Sequence, residues 1–95
     1  MHSEAALHMF KSPWDVELVR QCHLGVCRFD DLVRALGISR QVLAHRLKAL
    51  VSAGILTRQQ YQSRPDRYEY KLTDKGLDFI PVLHAATRWS ERWRT

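Results

Sequence analysis

The hydrophobic period of the sequence changes at Gly54, and this change limits the folds that the chain can adopt. Before Gly54, apolar residues recur every three or four positions, as they do on the buried face of a helix. After it, apolar and polar residues alternate, as they do in a strand with one buried face. A chain of 95 residues has room for one modest core. We therefore expect a single domain over residues 1–95, mainly α with a small β-hairpin (α+β).

The first helix is predicted to begin after Ser12 and to end near Gly25. Ser12 is a favourable N-cap residue, and Pro13 at the first helical position has no backbone N–H to leave unpaired. An apolar stripe follows at helical spacing, formed by Trp14, Leu18, Val19 and Cys22.

Two more helices separated by a tight turn predict a helix-turn-helix at about residues 28–53. The first of them runs from about Phe29 to Leu36, and Gly37 is expected to end it in the left-handed conformation. The second begins after Ser39 and buries a stripe of leucines. Its outer face carries polar or small residues and no acid, which suits the major groove of DNA: Arg40, Gln41, Ala44, His45, Lys48 and Ser52.

Two strands follow, predicted at residues 55–61 and 67–72. The loop between them is rich in turn-forming residues and carries Arg64 near its tip. A hairpin directly after a helix-turn-helix is a winged helix, so the wing is expected at about residues 55–72.

A last helix is predicted at about residues 74–94, capped by Thr73 and kinked or split by Pro81. Its end carries two large aromatic residues one turn apart, with little chain left to cover them. Such stripes usually mark an interface, and twofold dimers are the commonest oligomers. The dimer interface is predicted to comprise Leu7, Phe10, Trp14, Trp89 and Trp93.

Charge favours a nucleic-acid partner. The chain has 15 Lys+Arg against 10 Asp+Glu, a net charge of +5, and the excess is mostly arginine. Arginine forms forked contacts with phosphates and base edges, although a basic surface that only aids solubility explains the composition equally well. The predicted DNA-contacting residues are Arg28, Ser39, Arg40, Gln41, Ala44, His45, Lys48, Arg64 and Arg67.

Different roles are expected within this set. Gln41 can bind an adenine and Arg40 a guanine through two hydrogen bonds each, His45 can donate to a base acceptor, and Ala44 admits a thymine methyl. Arg28 and Lys48 are expected to contact phosphates, whereas Arg64 suits a narrow minor groove.

These motifs together resemble the HxlR-type winged-helix family of bacterial transcription regulators. The resemblance covers about residues 7–93, and its most diagnostic run is Glu69-Tyr70-x-Leu72-Thr73-x-x-Gly76. It implies a homodimer with the third helix in the major groove, the wing at the flanking minor groove and terminal helices at the dimer interface. Arg46, Arg58 and Arg67 match family positions, but a structural salt bridge is an equally good interpretation of Arg46.

Some members of the family sense oxidants through a cysteine shortly before the position of Trp14, and this sequence has none there. Cys22 is expected to be a small buried hydrophobic residue. Cys27 lies near a helix N-terminus, but a redox role is not favoured. An unidentified small apolar or aromatic effector between the terminal helices and the DNA-binding core is the more natural means of sensing.

No enzyme is predicted. The sequence has no nucleophile elbow, no paired catalytic acids and no glycine-rich phosphate loop, and its histidines lack metal-ligand spacing. Neither a metal nor another cofactor is expected.

The absence of a signal peptide or a long apolar run favours a cytoplasmic protein with no membrane partner. The alternative to a DNA-binding regulator is a winged-helix module that contacts another protein.

Overall fold

The computed structural model describes His8 and residues 10–94. Within this part the chain forms five helices and one antiparallel hairpin, in the order of a winged helix-turn-helix. The elements are α1 (Pro13–His23), α2 (Phe29–Leu36), α3 (Arg40–Ser52), β1 (Leu56–Gln62), β2 (Arg67–Leu72), α4 (Asp74–Asp78) and α5 (Ile80–Arg92). The predicted fold class is confirmed.

The helix boundaries follow from their capping residues. The side chains of Ser12, Ser39 and Thr73 each accept a hydrogen bond from a backbone N–H in the following first turn, at 3.1, 3.2 and 3.1 Å. These bonds pair N–H groups that have no partner inside the helix. Gly37 ends α2 with a φ of +63°, a conformation that glycine adopts without steric cost.

The last helix is split rather than continuous. The predicted single segment of residues 74–94 divides into α4 and α5, which meet at Phe79. Pro81 lies in the first turn of α5, where its missing N–H removes no helical hydrogen bond. The break thus lies just before the proline, at the place where a helix tolerates it.

The first strand begins one residue later than predicted. Ile55 is buried, and its N–H donates to the carbonyl of Leu50 at 3.0 Å, so it still belongs to the turn that ends α3. Extended pairing with β2 starts at Leu56, opposite Leu72, and a bulge lies between Gln60 and Gln62.

A short segment before α2 extends the sheet. The N–H of Tyr70 donates to the carbonyl of Cys27 at 2.8 Å, and Arg28 forms an isolated antiparallel bridge with Glu69. The sequence pattern did not predict this pairing. It attaches the start of the helix-turn-helix to the second strand of the wing.

The core lies between the helices and the base of the wing. Its fully or nearly buried side chains are Leu18, Val19, Leu32, Ile38, Leu43, Leu47, Leu50, Ile55, Leu56, Ile80 and Leu83. Since α3 contributes three of these leucines, its inner face is fixed and its opposite face points to solvent.

The end of α3 is held by the start of α4. The hydroxyl of Thr73 donates to the carbonyl of Gly54. The Lys75 ammonium donates to the carbonyl of Ala53 at 2.8 Å. Gly76 is buried against the carbonyl of Ile55, and a Cβ at Gly76 would overlap that oxygen. The Thr73-x-x-Gly76 motif is therefore a clamp on the C-terminal end of α3, which we call the α3 clamp (Thr73, Lys75 and Gly76).

Candidate nucleic-acid interface

The outer face of α3 is exposed along its length. All six residues predicted on or beside α3 are exposed: Ser39, Arg40, Gln41, Ala44, His45 and Lys48. Their exposure follows from the burial of Leu43, Leu47 and Leu50 on the opposite side. The exposed surface of α3 also includes one apolar residue that was not predicted there: Val42, in the first turn, is 41% exposed.

Arg46 lies on the inner side of α3 and forms a buried ion pair. Its Nε and Nη2 atoms donate to the two carboxylate oxygens of Asp15 at 2.7 and 2.9 Å. Asp15 has no exposed surface and also accepts the N–H of Lys11 at 2.9 Å. The hydrogen bonds with Asp15 raise the pKa of Arg46. The salt-bridge interpretation of Arg46 is therefore the correct one, and its side chain joins α3 to α1.

Arg40, at the first position of α3, is directed towards α2. Its Nη1 atom lies 2.9 Å from Oδ1 of Asp30, and its guanidinium lies 5.0 Å from the centre of the Phe29 ring. Both charged side chains are substantially exposed. The pairing of Asp30 with this arginine was not predicted from the sequence.

The wing carries exposed arginines on both sides of its loop. Arg64 and Arg67 are exposed, as a contact with DNA requires. The guanidinium of Arg58, on β1, stacks on the Tyr68 ring at 4.1 Å from its centre. This contact joins the two strands across the face of the hairpin.

Arg28 lies between α2 and the wing. Its Nε atom is 3.6 Å from Oε2 of Glu69, and its guanidinium lies 4.0 Å above the centre of the Tyr61 ring. Glu69 also faces Lys71 at 3.5 Å and accepts a hydrogen bond from the Cys27 thiol at 3.8 Å. Alternation along β2 puts Glu69 on the same face as Lys71, but the segment before α2 covers most of the Glu69 side chain.

An open cleft of about 430 Å³ lies between the start of α2, the first turn of α3 and the wing. We call it the wing cleft. Arginines from all three sides reach it, together with two acids of α2: Arg28, Arg34, Arg40, Arg67, Asp30 and Asp31. The surface that connects α3 with the wing therefore carries both cations and carboxylates.

The predicted dimer residues fall into two groups. Trp89 and Trp93 on and just after α5 are 67% and 61% exposed. Phe10 instead packs edge-to-face on Phe79, with ring centres 4.8 Å apart, and Trp14 is partly buried against the core. Leu7 lies outside the described residues.

Both cysteines are free, partly buried thiols. Burial raises the pKa of Cys22 to about 12, with a further contribution from Cys27. The pKa of Cys27 is also raised, first by burial and then by the neighbouring Glu69 carboxylate. Both thiols are protonated at neutral pH, which is the less reactive form.

The described part of the chain, His8 and residues 10–94, shows neither a metal site nor a membrane-spanning helix. No group of three His, Cys, Asp or Glu side chains is arranged there to hold a metal ion. None of its helices combines the length and apolar character that crossing a membrane requires.

Known proteins are similar in sequence to this chain over most of its length. The profile of the HxlR-like helix-turn-helix family matches residues 9–95. An uncharacterized helix-turn-helix-type transcriptional regulator of Mycobacterium tuberculosis is 36% identical over 88 residues, which cover 93% of this chain and 56% of that protein. The regulator YvaP of Bacillus subtilis is 35% identical over 91 residues, which cover 95% of this chain and 84% of YvaP. The chain thus spans about half the length of the mycobacterial relative.

Solved structures agree with the sequence matches. A candidate transcription factor of Pseudomonas aeruginosa superposes with a TM-score of 0.81 and 41% identity, covering 95% of this chain and 62% of that one. The reduced form of the transcriptional regulator YodB of Bacillus subtilis superposes with a TM-score of 0.84 and 27% identity, covering 96% and 90% of the two chains. The relatives are transcriptional regulators and not enzymes. The chain, with its winged helix-turn-helix, belongs to the HxlR-like helix-turn-helix family of transcriptional regulators.

Proposed function

We propose that the chain binds duplex DNA as a homodimer, with α3 in the major groove and the wing at the flanking minor groove. The observation that carries the proposal is the outer face of α3, where six polar or small residues are exposed beside an arginine-bearing wing. A recognition helix contacts base edges with residues of its N-terminal half. Arg40, Gln41 and Ala44 lie in that half.

The charged residues around this face suit the DNA backbone. Lys48 lies farther along α3, and Arg28 and Arg67 reach the wing cleft from the other side. Phosphate contacts of this kind supply affinity and set the position of the protein, whereas base contacts supply sequence preference. Arg64, at the tip of the wing, is assigned to a narrow minor groove, where the negative potential is largest.

The exposed aromatic surface of α5 supports the proposed dimer. Trp89 and Trp93 leave most of their area in contact with water, and burying such side chains against a second copy is favourable. A twofold axis through this surface would give the assembly two copies of α3. Phe10 and Trp14 pack against the core and remain part of the predicted interface.

An effector site is assigned to the groove between α1 and α5. This groove has a volume of about 480 Å³ and is lined by Val16, Arg20, Leu83 and Thr87, among others. Arg20 donates to the Thr87 hydroxyl at 2.7 Å, so a ligand placed there would alter the contact between the two helices. A small apolar or aromatic molecule fits the apolar part of the lining.

The DNA contact can be tested with sites selected in vitro from random duplexes by the purified protein. Gln41→Ala should weaken binding to a selected site by roughly 5- to 150-fold and leave binding to mixed-sequence DNA unchanged, because only a base contact is lost. Lys48→Ala or Arg64→Ala should weaken both and lower the salt slope by about one unit per lost phosphate contact. Arg88→Ala, an exposed substitution on α5, is the matched control for loss of one positive charge.

Two results would contradict this assignment. If Gln41→Ala and Arg64→Ala both leave binding to the selected site unchanged, α3 and the wing are not the DNA-binding face. If the protein shifts no duplex and its binding to a protein partner depends weakly on salt, the protein-interaction module becomes the better interpretation.

The dimer can be tested by sedimentation at micromolar concentration. The unmodified chain should sediment as a dimer, and Trp89→Asp should sediment as a monomer because it places a charge in an apolar contact. His84→Asp introduces the same charge at an exposed position on another side of α5 and should remain dimeric. A monomer in the unmodified chain would contradict the proposed assembly.

A further inference from the structure

We propose that Asp30 is a specificity-determining residue, because it holds Arg40 against α2 in the free protein and so weakens binding to DNA of arbitrary sequence. The proposal rests on the proposed function, since Arg40 belongs to the face assigned to DNA. It concerns a residue of α2 that makes no base contact itself. Asp30 acts through Arg40 and through its own negative charge.

The geometry of the pair supports this role. Oδ1 of Asp30 lies 2.9 Å from Nη1 of Arg40, and the Phe29 ring lies beneath the guanidinium at 5.0 Å. These two contacts hold the Arg40 side chain against α2, so that it does not extend freely from the start of α3. The side chains of Arg40 and Asp30 are 67% and 48% exposed. An exposed pair of this kind contributes a factor of less than about five, so it can exchange for another partner.

The location of Asp30 adds a second effect. Asp30 lines the wing cleft together with Arg28 and Arg67, on the surface between α3 and the wing. A duplex that contacts both elements passes this carboxylate. When Arg40 leaves Asp30 for DNA, the carboxylate loses its nearest counter-charge and faces a phosphate backbone of the same charge, which opposes binding.

Sequence preference arises from the contacts with DNA that replace the ion pair between Arg40 and Asp30. On a guanine at the right position, Arg40 forms two hydrogen bonds, a contact that discriminates by roughly 5- to 150-fold. This gain exceeds the loss of the ion pair with Asp30. On arbitrary DNA, Arg40 gains only a screened phosphate contact, so the ion pair competes effectively. Asp30 therefore lowers nonspecific binding more than specific binding.

Asp31 provides the matched comparison. It is the next residue in the same helical turn, carries the same charge and lines the same cleft. It pairs with Arg34 of its own helix rather than with α3. Either acid can stabilise the N-terminus of α2 through the helix dipole, but only Asp30 is coupled to Arg40.

The experiment measures binding of the purified protein to a fluorescein-labelled mixed-sequence duplex of about 20 base pairs over a range of salt concentrations. Asp30→Asn should bind this duplex about 3- to 10-fold more tightly, with a salt slope larger by about one unit. In an Arg40→Ala background the same substitution should give less than half of that gain. Asp31→Asn removes the same charge from the same cleft but frees Arg34 instead of Arg40, and its effect should be the same with and without Arg40.

The outcomes separate failure of the proposed role of Asp30 from failure of the proposed DNA binding. If Asp30→Asn gives no gain, or if its gain is fully retained with Arg40→Ala, the role of Asp30 is overturned while the proposed function stands. If the unmodified protein binds no duplex even at about 50 mM salt, the proposed function fails and this proposal fails with it. Circular dichroism of each variant shows whether α2 remains folded.

Discussion

Two arginines six residues apart on α3 show how one residue type serves opposite purposes. Arg46 lies on the inner side, where its forked guanidinium meets both oxygens of a fully buried carboxylate. Arg40 lies at the exposed start of the helix, where a single contact joins it to a half-exposed carboxylate. The inner pair fixes the position of the helix. The outer pair leaves a cation that a new partner can take.

Burial explains the difference between these pairs. Removing one partner of a buried ion pair leaves the other charge without water or counter-charge, at a cost of about 3–5 kcal/mol. Exposed pairs contribute only about 0.2–1 kcal/mol, because water and salt screen them. Only the exposed pair can therefore exchange its acid for a phosphate or a base edge.

The largest effect is expected at Asp15. Asp15→Asn should lower the free energy of unfolding by about 3–5 kcal/mol, because Arg46 loses its charged partner in a buried site. Asp30→Asn, the same substitution in the exposed pair, should change it by less than about 1 kcal/mol. Urea unfolding followed by circular dichroism measures both. Equal costs at the two sites would show that burial does not separate the two pairs.

Salt should sharpen the same comparison. Between about 0.05 and 0.5 M NaCl, the small stability difference between Asp30→Asn and the unmodified protein should disappear, because exposed charges are screened. The difference for Asp15→Asn should persist, since the Asp15 side chain has no exposed surface. Repeating the unfolding curves at both salt concentrations provides the measurement. A comparable loss of both differences would mean that Asp15 is reached by solvent.

The smallest effect is expected from the thiols. Because the pKa of Cys22 is raised to about 12 and that of Cys27 is raised as well, little thiolate exists at neutral pH. Alkylation should therefore be slow at pH 7 and accelerate only at distinctly alkaline pH. Peroxide or diamide should change DNA affinity by less than about threefold, which is under 1 kcal/mol. A large loss of affinity that Cys27→Ser abolishes would contradict this expectation.

Local features of the structure could be predicted from the sequence. The caps at Ser12, Ser39 and Thr73 and the left-handed Gly37 depend on residues within one turn, so the sequence contains the information. The exposed face of α3 follows in the same way from its leucine period. The position of the strand start was off by one residue, because the turn that ends α3 also uses the backbone of Ile55.

Contacts between distant residues could not be predicted. Asp15 and Arg46 are 31 positions apart, and their meeting depends on the packing of α1 against α3. The bridge between Arg28 and Glu69 depends on how a short segment lies along β2. A hydrophobic period determines which face of an element is buried, but not which charged side chain lies opposite.

The α3 clamp has a consequence for the spacing of a DNA site. Thr73 and Lys75 attach the end of α3 to α4, and α5 begins two residues after α4 ends. In the proposed dimer, the separation of the two recognition helices is then determined by the angle of α5 and not by a flexible linker. Half-sites one helical repeat apart lie about 34–36 Å from centre to centre. One residue inserted at Phe79 would rotate α5 by about 100° relative to the clamp, and the dimer would no longer match the period of the duplex.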